Sequence, residues 1–255
     1  MNYDRREQIK TQLIQNGIVY LNDLCKQFPE VSSMTLRRDL ELFEHDGISI
    51  KIRGGAKYIN TITGVREQNF SHRVGENIDM KIKIAKKALS FIETGRSVFL
   101  DSGTTIMCLA NILPDIKLSI LTSGPNIALE VLKKYTPTVN LIGGHINRDN
   151  LSVSGALALS FVKDINIDIA FIAPSGFSST GGFTCGNYAE CEIKKAIVKK
   201  SNKTIVLMDS TKIEKSLPFT FSTLKDIDIL ITEKPLSEQL QKAANKANTL
   251  IIVAE

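Results

Sequence analysis

The chain has 255 residues, 43% of them hydrophobic, and a formal net charge of +5. That length allows one large domain or two unequal ones, and that apolar share supports a packed core. No run of about 18 apolar residues is present, so no spanning helix is expected, and residues 1–7 lack the apolar segment of a secretory signal. Cys25, Cys108, Cys185 and Cys191 show no CxxC spacing, so reduced thiols and a cytoplasmic protein are expected. His45, His72 and His145 are scattered and imply no metal site. The net charge is not concentrated in residues 1–60, so only the placement of particular cations bears on nucleic acid.

In chain order, residues 5–15 read as a helix with Ile9, Leu13 and Ile14 inward. A short helix over 21–28 follows, carrying Leu21, Leu24 and Phe28, and Pro29-Glu30 makes a turn. Residues 32–46 then read as a third helix. Ser32 can cap its N-terminus, and Gly47 sits just past its end. Leu36, Leu40 and Phe43 recur at i, i+4, i+7 as one apolar stripe, with Arg37 and Arg38 pointing away from it. Residues 48–53 alternate apolar and polar like a half-exposed strand, Gly54-Gly55 turns the chain, and 56–59 can return as a second strand. Three helices and a basic β-ribbon in this order make a winged helix, whose third helix brings its N-terminal end to base edges in a major groove. The candidate DNA contacts are Ser32, Ser33, Thr35, Arg37 and Arg38 on that helix, and Lys51, Arg53, Gly54 and Lys57 on the wing.

This first domain is expected to end at residue 59, with polar sequence over 60–76 as a linker and a second domain over 77–255. From there apolar strands (97–100, 118–121, 138–142, 167–172, 204–208, 227–231, 249–253) alternate with helices (80–92, 104–113, 125–134). Such alternation implies an α/β domain with a mostly parallel sheet and helices on both faces. Ligands on such sheets sit beyond the strand C-terminal ends.

The best candidate loop is Asp101-Ser102-Gly103-Thr104-Thr105, between a strand and a helix. Its hydroxyls and the helix N–H groups suit a phosphate or another anion. It has neither the lysine of a P-loop nor three-glycine Rossmann spacing, so no nucleotide cofactor is expected. Thr122 and Ser123, then Gly143 and Gly144, end neighbouring strands and are further effector candidates; Thr180-Gly181-Gly182 resembles them. Glu190 and Lys194 are spaced i, i+4, which fits a surface pair as well as a pocket. Asp209-Ser210-Thr211-Lys212 ends a strand with charges and hydroxyls, so Lys212 joins the candidates. The lysine pairs at 86–87, 133–134, 194–195 and 199–200 read as solvated helix faces.

Thr35-Leu36-Arg37-Arg38-Asp39-Leu40, with Gly47 and Arg53-Gly54-Gly55-Ala56, resembles the N-terminal signature of the DeoR-type bacterial transcriptional regulators. Leu36 stands where that family usually has Ile, and Arg53 where it has His. Residues 83–105, Gly143-Gly144, Glu190 with Lys194-Lys195, and Asp209–Lys212 are similar to its effector domain, related in fold to ribose-5-phosphate isomerase and the CoA-transferases. Thr122-Ser123-Gly124 replaces the family's Thr-Asn, which leaves the sugar open. The resemblance implies a homodimeric or homotetrameric repressor of a carbohydrate-use operon, bound to double-stranded DNA. A phosphorylated sugar near residues 102–105 would control it. Two other readings remain: an active sugar-phosphate isomerase or deaminase with Glu190 or Asp101 as general base, and a winged helix that contacts protein.

Overall fold

The computed structural model describes residues 2–45, 48–58 and 69–255. The chain divides into two units, residues 1–64 and 65–255. In the first, α1 (Asn2–Asn16), β1 (Ile18–Tyr20), α2 (Leu21–Gln27), α3 (Ser33–His45), β2 (Ser49–Ile52) and β3 (Gly55–Tyr58) follow one another. Ile9, Leu13, Leu24, Phe28, Leu36, Leu40 and Phe43 close one core together with Val19 and Ala56. Ile14, expected inward, is 47% exposed, because it falls five residues after Ile9 and off the stripe that Ile9 and Leu13 set. Strand β1 was not expected; three residues are too few to show a period. It pairs antiparallel with β3, giving the order β1-β3-β2. The expected end of the third helix at Asp46 with Gly47 beyond it, the end of the return strand at Ile59 and residues 60–68 of the expected linker lie outside the described residues.

The second unit begins with α4 (Phe70–Gly75), a helix within sequence expected to be linker, and α5 (Ile78–Leu89). Then come β4 (Ser97–Leu100), α6 (Thr104–Ile112), β5 (Ser119–Thr122), α7 (Pro125–Val131), β6 (Thr138–Leu141), β7 (His145–Ile146), β8 (Val153–Ser154), α8 (Ala156–Lys163) and β9 (Ile167–Ile172). The chain continues through β10 (Gly176–Ser178), β11 (Gly182–Cys185), α9 (Tyr188–Lys200), β12 (Ser201–Leu207), β13 (Phe219–Ser222), β14 (Ile229–Thr232), α10 (Glu238–Ala247) and β15 (Leu250–Val253). All seven expected strands form one parallel sheet, ordered β15-β14-β12-β9-β4-β5-β6. The hairpin β7-β8 and the antiparallel sheet β10-β11-β13 are additions that the apolar pattern did not reveal.

Alternation along the strands builds two cores. Val98 and Leu100 join α5, α6 and α7 on one face, while Phe99 joins α8, α9 and α10 on the other. Apolar residues therefore run without a break in the central strands, as burial on both faces demands. Strand β4 pairs with β5 on one side and β9 on the other. The chain after β4 turns into α6 on the first face, whereas the chain after β9 leads towards α9 on the second. A crevice opens where two such connections part. Among the described residues, no helix is long and apolar enough to cross a membrane.

Candidate functional site

The N-terminal end of α3 is built as expected. The Ser32 hydroxyl accepts the Thr35 N–H at 3.2 Å and bonds the Thr35 hydroxyl at 2.9 Å. Ser33, Arg37, Arg38, Arg53, Gly54 and Lys57 are exposed. Lys51 is turned towards α3: its N–H donates to Glu44 at 3.1 Å, and its ammonium lies 3.6 Å from Glu41. Asp39, not singled out from the sequence, is fully buried and accepts from Arg5 Nε at 2.9 Å and Arg6 Nε at 2.7 Å. A carboxylate inside the core thus pins α1 to α3 while the two preceding arginines face water. Its place beside Leu40 on the inner arc of the helix was the available signal.

In the second unit, the switch-point crevice is lined by Gly103, Thr104 and Thr105 after β4 and by Ala173 and Pro174 after β9. Leu207, Met208, Asp209 and Lys212 at the end of β12 and Arg73 of α4 complete it. Gly103 is required there: a Cβ would sit 2.7 Å from the Ala173 Cβ. The α6 backbone ladder starts with Met107 N–H on the Gly103 carbonyl, so the N–H groups before it lie at the positive end of the helix. Lys81 of α5 is buried and donates to the Arg73 carbonyl. Burial lowers the Lys81 pKa below the lysine range; Asp209 opposes this, and the charges of Lys212 and Arg73 add to it. Lys212 is lowered likewise, by burial first, against Asp209, with Arg73 contributing. Arg73, Asp209 and Lys212 thus line the crevice beside the α6 N-terminus, and Lys81, outside that lining, is tied to it through the Arg73 carbonyl. Lys212 was expected there. Arg73 and Lys81 were missed because they precede the loop by about thirty and twenty residues and carry no local motif.

The other effector candidates lie apart from this crevice or inside the protein. Asp101 and Ser102 are buried, and Asp101 accepts the Ala173 N–H at 3.0 Å. Glu190 and Lys194 are not a surface pair, nor is Lys194 on a solvated face; they are 6% and 2% exposed. The Lys194 ammonium bonds Asp101, lies 3.1 Å from Glu190 and donates to the Ala173 carbonyl at 3.1 Å. Burial alone would lower its pKa, but Asp101 and then Glu190 more than offset it and hold it above the ordinary lysine value. Asn150, also missed, donates to Glu190 at 2.5 Å. Thr122 and Ser123 are buried: the Thr122 hydroxyl accepts the Gly124 N–H, and the Ser123 carbonyl accepts the Val153 N–H. Gly143 and Gly144 are exposed and do not line the crevice. Gly144 has φ +149°, and a Cβ there would meet the Ser154 carbonyl at 2.5 Å, so it serves the β7-β8 hairpin. Among the described residues, no group of three or more His, Cys, Asp or Glu side chains is placed to hold a metal ion.

Two family models match the chain: a DeoR-like helix-turn-helix domain over residues 5–62 and a DeoR C-terminal sensor domain over 76–234. The HTH-type transcriptional regulator GolR of Listeria innocua is 30% identical over 254 residues, covering 99% of both chains. The regulator IolR of Bacillus subtilis is 31% identical, over 96% of this chain and 97% of that one. A putative aga operon transcriptional repressor of Escherichia coli O157:H7 is 28% identical, over 98% and 93%. Among solved structures, ribose 5-phosphate isomerase A of Methanocaldococcus jannaschii matches 54% of this chain and about half (55%) of its own, at 17% identity and a TM-score of 0.40. The eIF2B delta subunit of Chaetomium thermophilum matches 65% and 60%, at 13% identity and a TM-score of 0.46. The motif, the two-unit architecture and near full-length similarity agree: the chain belongs to the DeoR-type transcriptional regulators, with a DNA-binding helix-turn-helix unit followed by a sensor domain.

Proposed function

We propose that this regulator is a repressor of a carbohydrate-use operon and that its sensor domain binds a phosphorylated sugar with the phosphate at the N-terminus of α6. The observation that carries this reading is that Arg73 and Lys212 line one crevice with Gly103–Thr105 and Asp209, with the buried Lys81 bonded to the Arg73 carbonyl. Cations and helix N–H groups converging on one small space suit a dianionic oxyanion. Arg37 and Arg38 read the operator, and Lys51, Arg53 and Lys57 hold its flanking backbone. A relative named for the aga operon supports a sugar-linked target. Two copies on palindromic half-sites, as a homodimer or within a homotetramer, follow from the symmetry of such modules. The site binds without turnover: Lys194 and Asn150 hold Glu190, and Lys194 holds Asp101, so neither carboxylate is poised as a base.

The test is operator binding to the DNA upstream of its own operon, with and without a panel of sugar phosphates. One member of the panel should shift affinity by about 5- to 150-fold, the usual span of allosteric coupling, and raise thermal stability. No response to any sugar phosphate, or turnover of ribose 5-phosphate, would refute the reading.

A further inference from the structure

The outer face of α3 carries one side chain that neither the fold nor the cations account for. Met34 is 58% exposed, more than any other large apolar side chain described in the DNA-binding unit. Among the described residues it neither closes the core of that unit nor packs against it. A single exposed apolar side chain is ordinary; the place of this one is not. Met34, Arg37, Arg38 and Glu41 fall at i, i+3, i+4, i+7, so they form one stripe along the helix. The buried Leu36, Leu40 and Phe43 form the stripe on the opposite side. Met34 therefore shares the face of the two arginines, one turn nearer the helix N-terminus.

Its neighbours leave that end of the face to it. The Ser32 and Thr35 hydroxyls bond each other, and the Ser32 hydroxyl accepts the Thr35 N–H. Further along, Arg37 and Glu41 line the groove between α3 and the wing, where Glu41 lies 3.6 Å from the Lys51 ammonium. In a helix-turn-helix unit the first turns of the reading helix come closest to base edges. Those edges present one apolar group in the major groove, the C5-methyl of thymine. An unbranched thioether conforms to an irregular apolar contact and offers a base at most a weak acceptor.

We propose that Met34 is a sequence-reading residue that packs against a thymine methyl of the operator. Arg37 and Arg38 supply charge and hydrogen bonds beside it, and Met34 supplies the apolar contact. This inference rests on α3 being the helix that reads DNA.

The test uses operator duplexes selected by the full chain from random DNA. Each thymine is replaced in turn by uracil, which removes the C5-methyl and leaves every hydrogen-bonding group in place. At the position facing Met34, uracil should weaken wild-type binding by about 4-fold, the worth of one buried methyl group. Met34→Ala should weaken binding to the thymine duplex by a similar factor and bind the two duplexes equally. Its thermal unfolding should match wild type, since the side chain lies outside the core. Discrimination retained in Met34→Ala would assign the methyl to another side chain and overturn the proposal. So would uracil insensitivity at every position of the wild-type site. Arg37→Ala with Arg38→Ala separates that failure from failure of the helix assignment. Loss of sequence-specific affinity in that variant would keep α3 as the reading helix, and its retention would overturn the helix and Met34 together.

Discussion

The two units place their cations in opposite ways. In the DNA-binding unit Arg37, Arg38, Arg53 and Lys57 stand in water, and the buried charge is a carboxylate, Asp39, held by Arg5 and Arg6. In the sensor unit Arg73, Lys81 and Lys194 are buried. Exposed cations pay no desolvation cost and act on a polyanion outside through long-range attraction and counterion release. Buried cations are costly unless paired. Lys194 has Asp101 and Glu190, whereas for Lys81 and Lys212 burial outweighs the pull of Asp209, with Glu76 adding to that pull at Lys212. The difference separates a cation compensated inside the fold from cations whose burial is only partly offset.

The largest effect expected from breaking this contrast is at Lys194. Lys194→Ala strands two buried carboxylates, and denaturant unfolding should show a loss of about 3–5 kcal/mol. A loss under about 1 kcal/mol would mean that the network does not hold the fold. Because its folded pKa is raised, the Lys194 contribution is fully present below the ordinary lysine pKa and fades only as pH rises through the higher folded value. Stability near neutral pH should therefore be insensitive to it.

Asp39→Ala should come next, at about 2 kcal/mol, since it removes charge-assisted bonds to Arg5 and Arg6. Operator affinity should fall with it, because α3 loses its tether to α1. By contrast, Arg37→Ala with Arg38→Ala should leave unfolding within about 0.5 kcal/mol of wild type, while gel shift shows about 1–3 kcal/mol less operator affinity per lost base contact. Equal loss on operator and random DNA would reassign both side chains to phosphate contacts.

The smallest expected effect is a dependence on pH. Phosphate monoesters become fully dianionic above about pH 6, so sugar-phosphate binding measured calorimetrically should strengthen from acid to neutral pH. It should weaken again as pH rises through the lowered pKa values of Lys81 and Lys212, where the ammoniums lose their protons. Those lysines are charged at a cost in the free protein, so the fold is penalised below their folded pKa values and relieved above them. Lys212→Ala should remove most of the thermal stabilisation by ligand. Undiminished stabilisation would move the anion elsewhere.

Local pattern carried much of this architecture. The i, i+4, i+7 stripe of Leu36, Leu40 and Phe43 and the alternation in residues 48–53 gave the winged helix, and all seven strands of the parallel sheet stood out as apolar runs. The additional strands did not, because β1, β7 and β8 have two or three residues each and show no period. Gly103–Thr105 and Lys212 were legible as loop chemistry at strand ends, whereas Gly143 and Gly144 showed the same pattern outside the crevice, and Gly144 serves a hairpin.

What the sequence by itself determined was which residues could form helices and strands, and which short loops carried hydroxyls and glycines at strand ends, because those depend on neighbours within a few residues. Only the tertiary structure decided which charges were buried and with whom. Glu190 and Lys194 have the spacing of an ordinary surface pair, yet Asp101, 93 positions before Lys194, meets them inside the protein. Arg73 lines the crevice at the α6 N-terminus, and Lys81 bonds its carbonyl, from helices whose sequences say nothing of it. Desolvation and Coulomb energy depend on distance in space, and the sheet order that sets those distances is written in no single stretch of the chain.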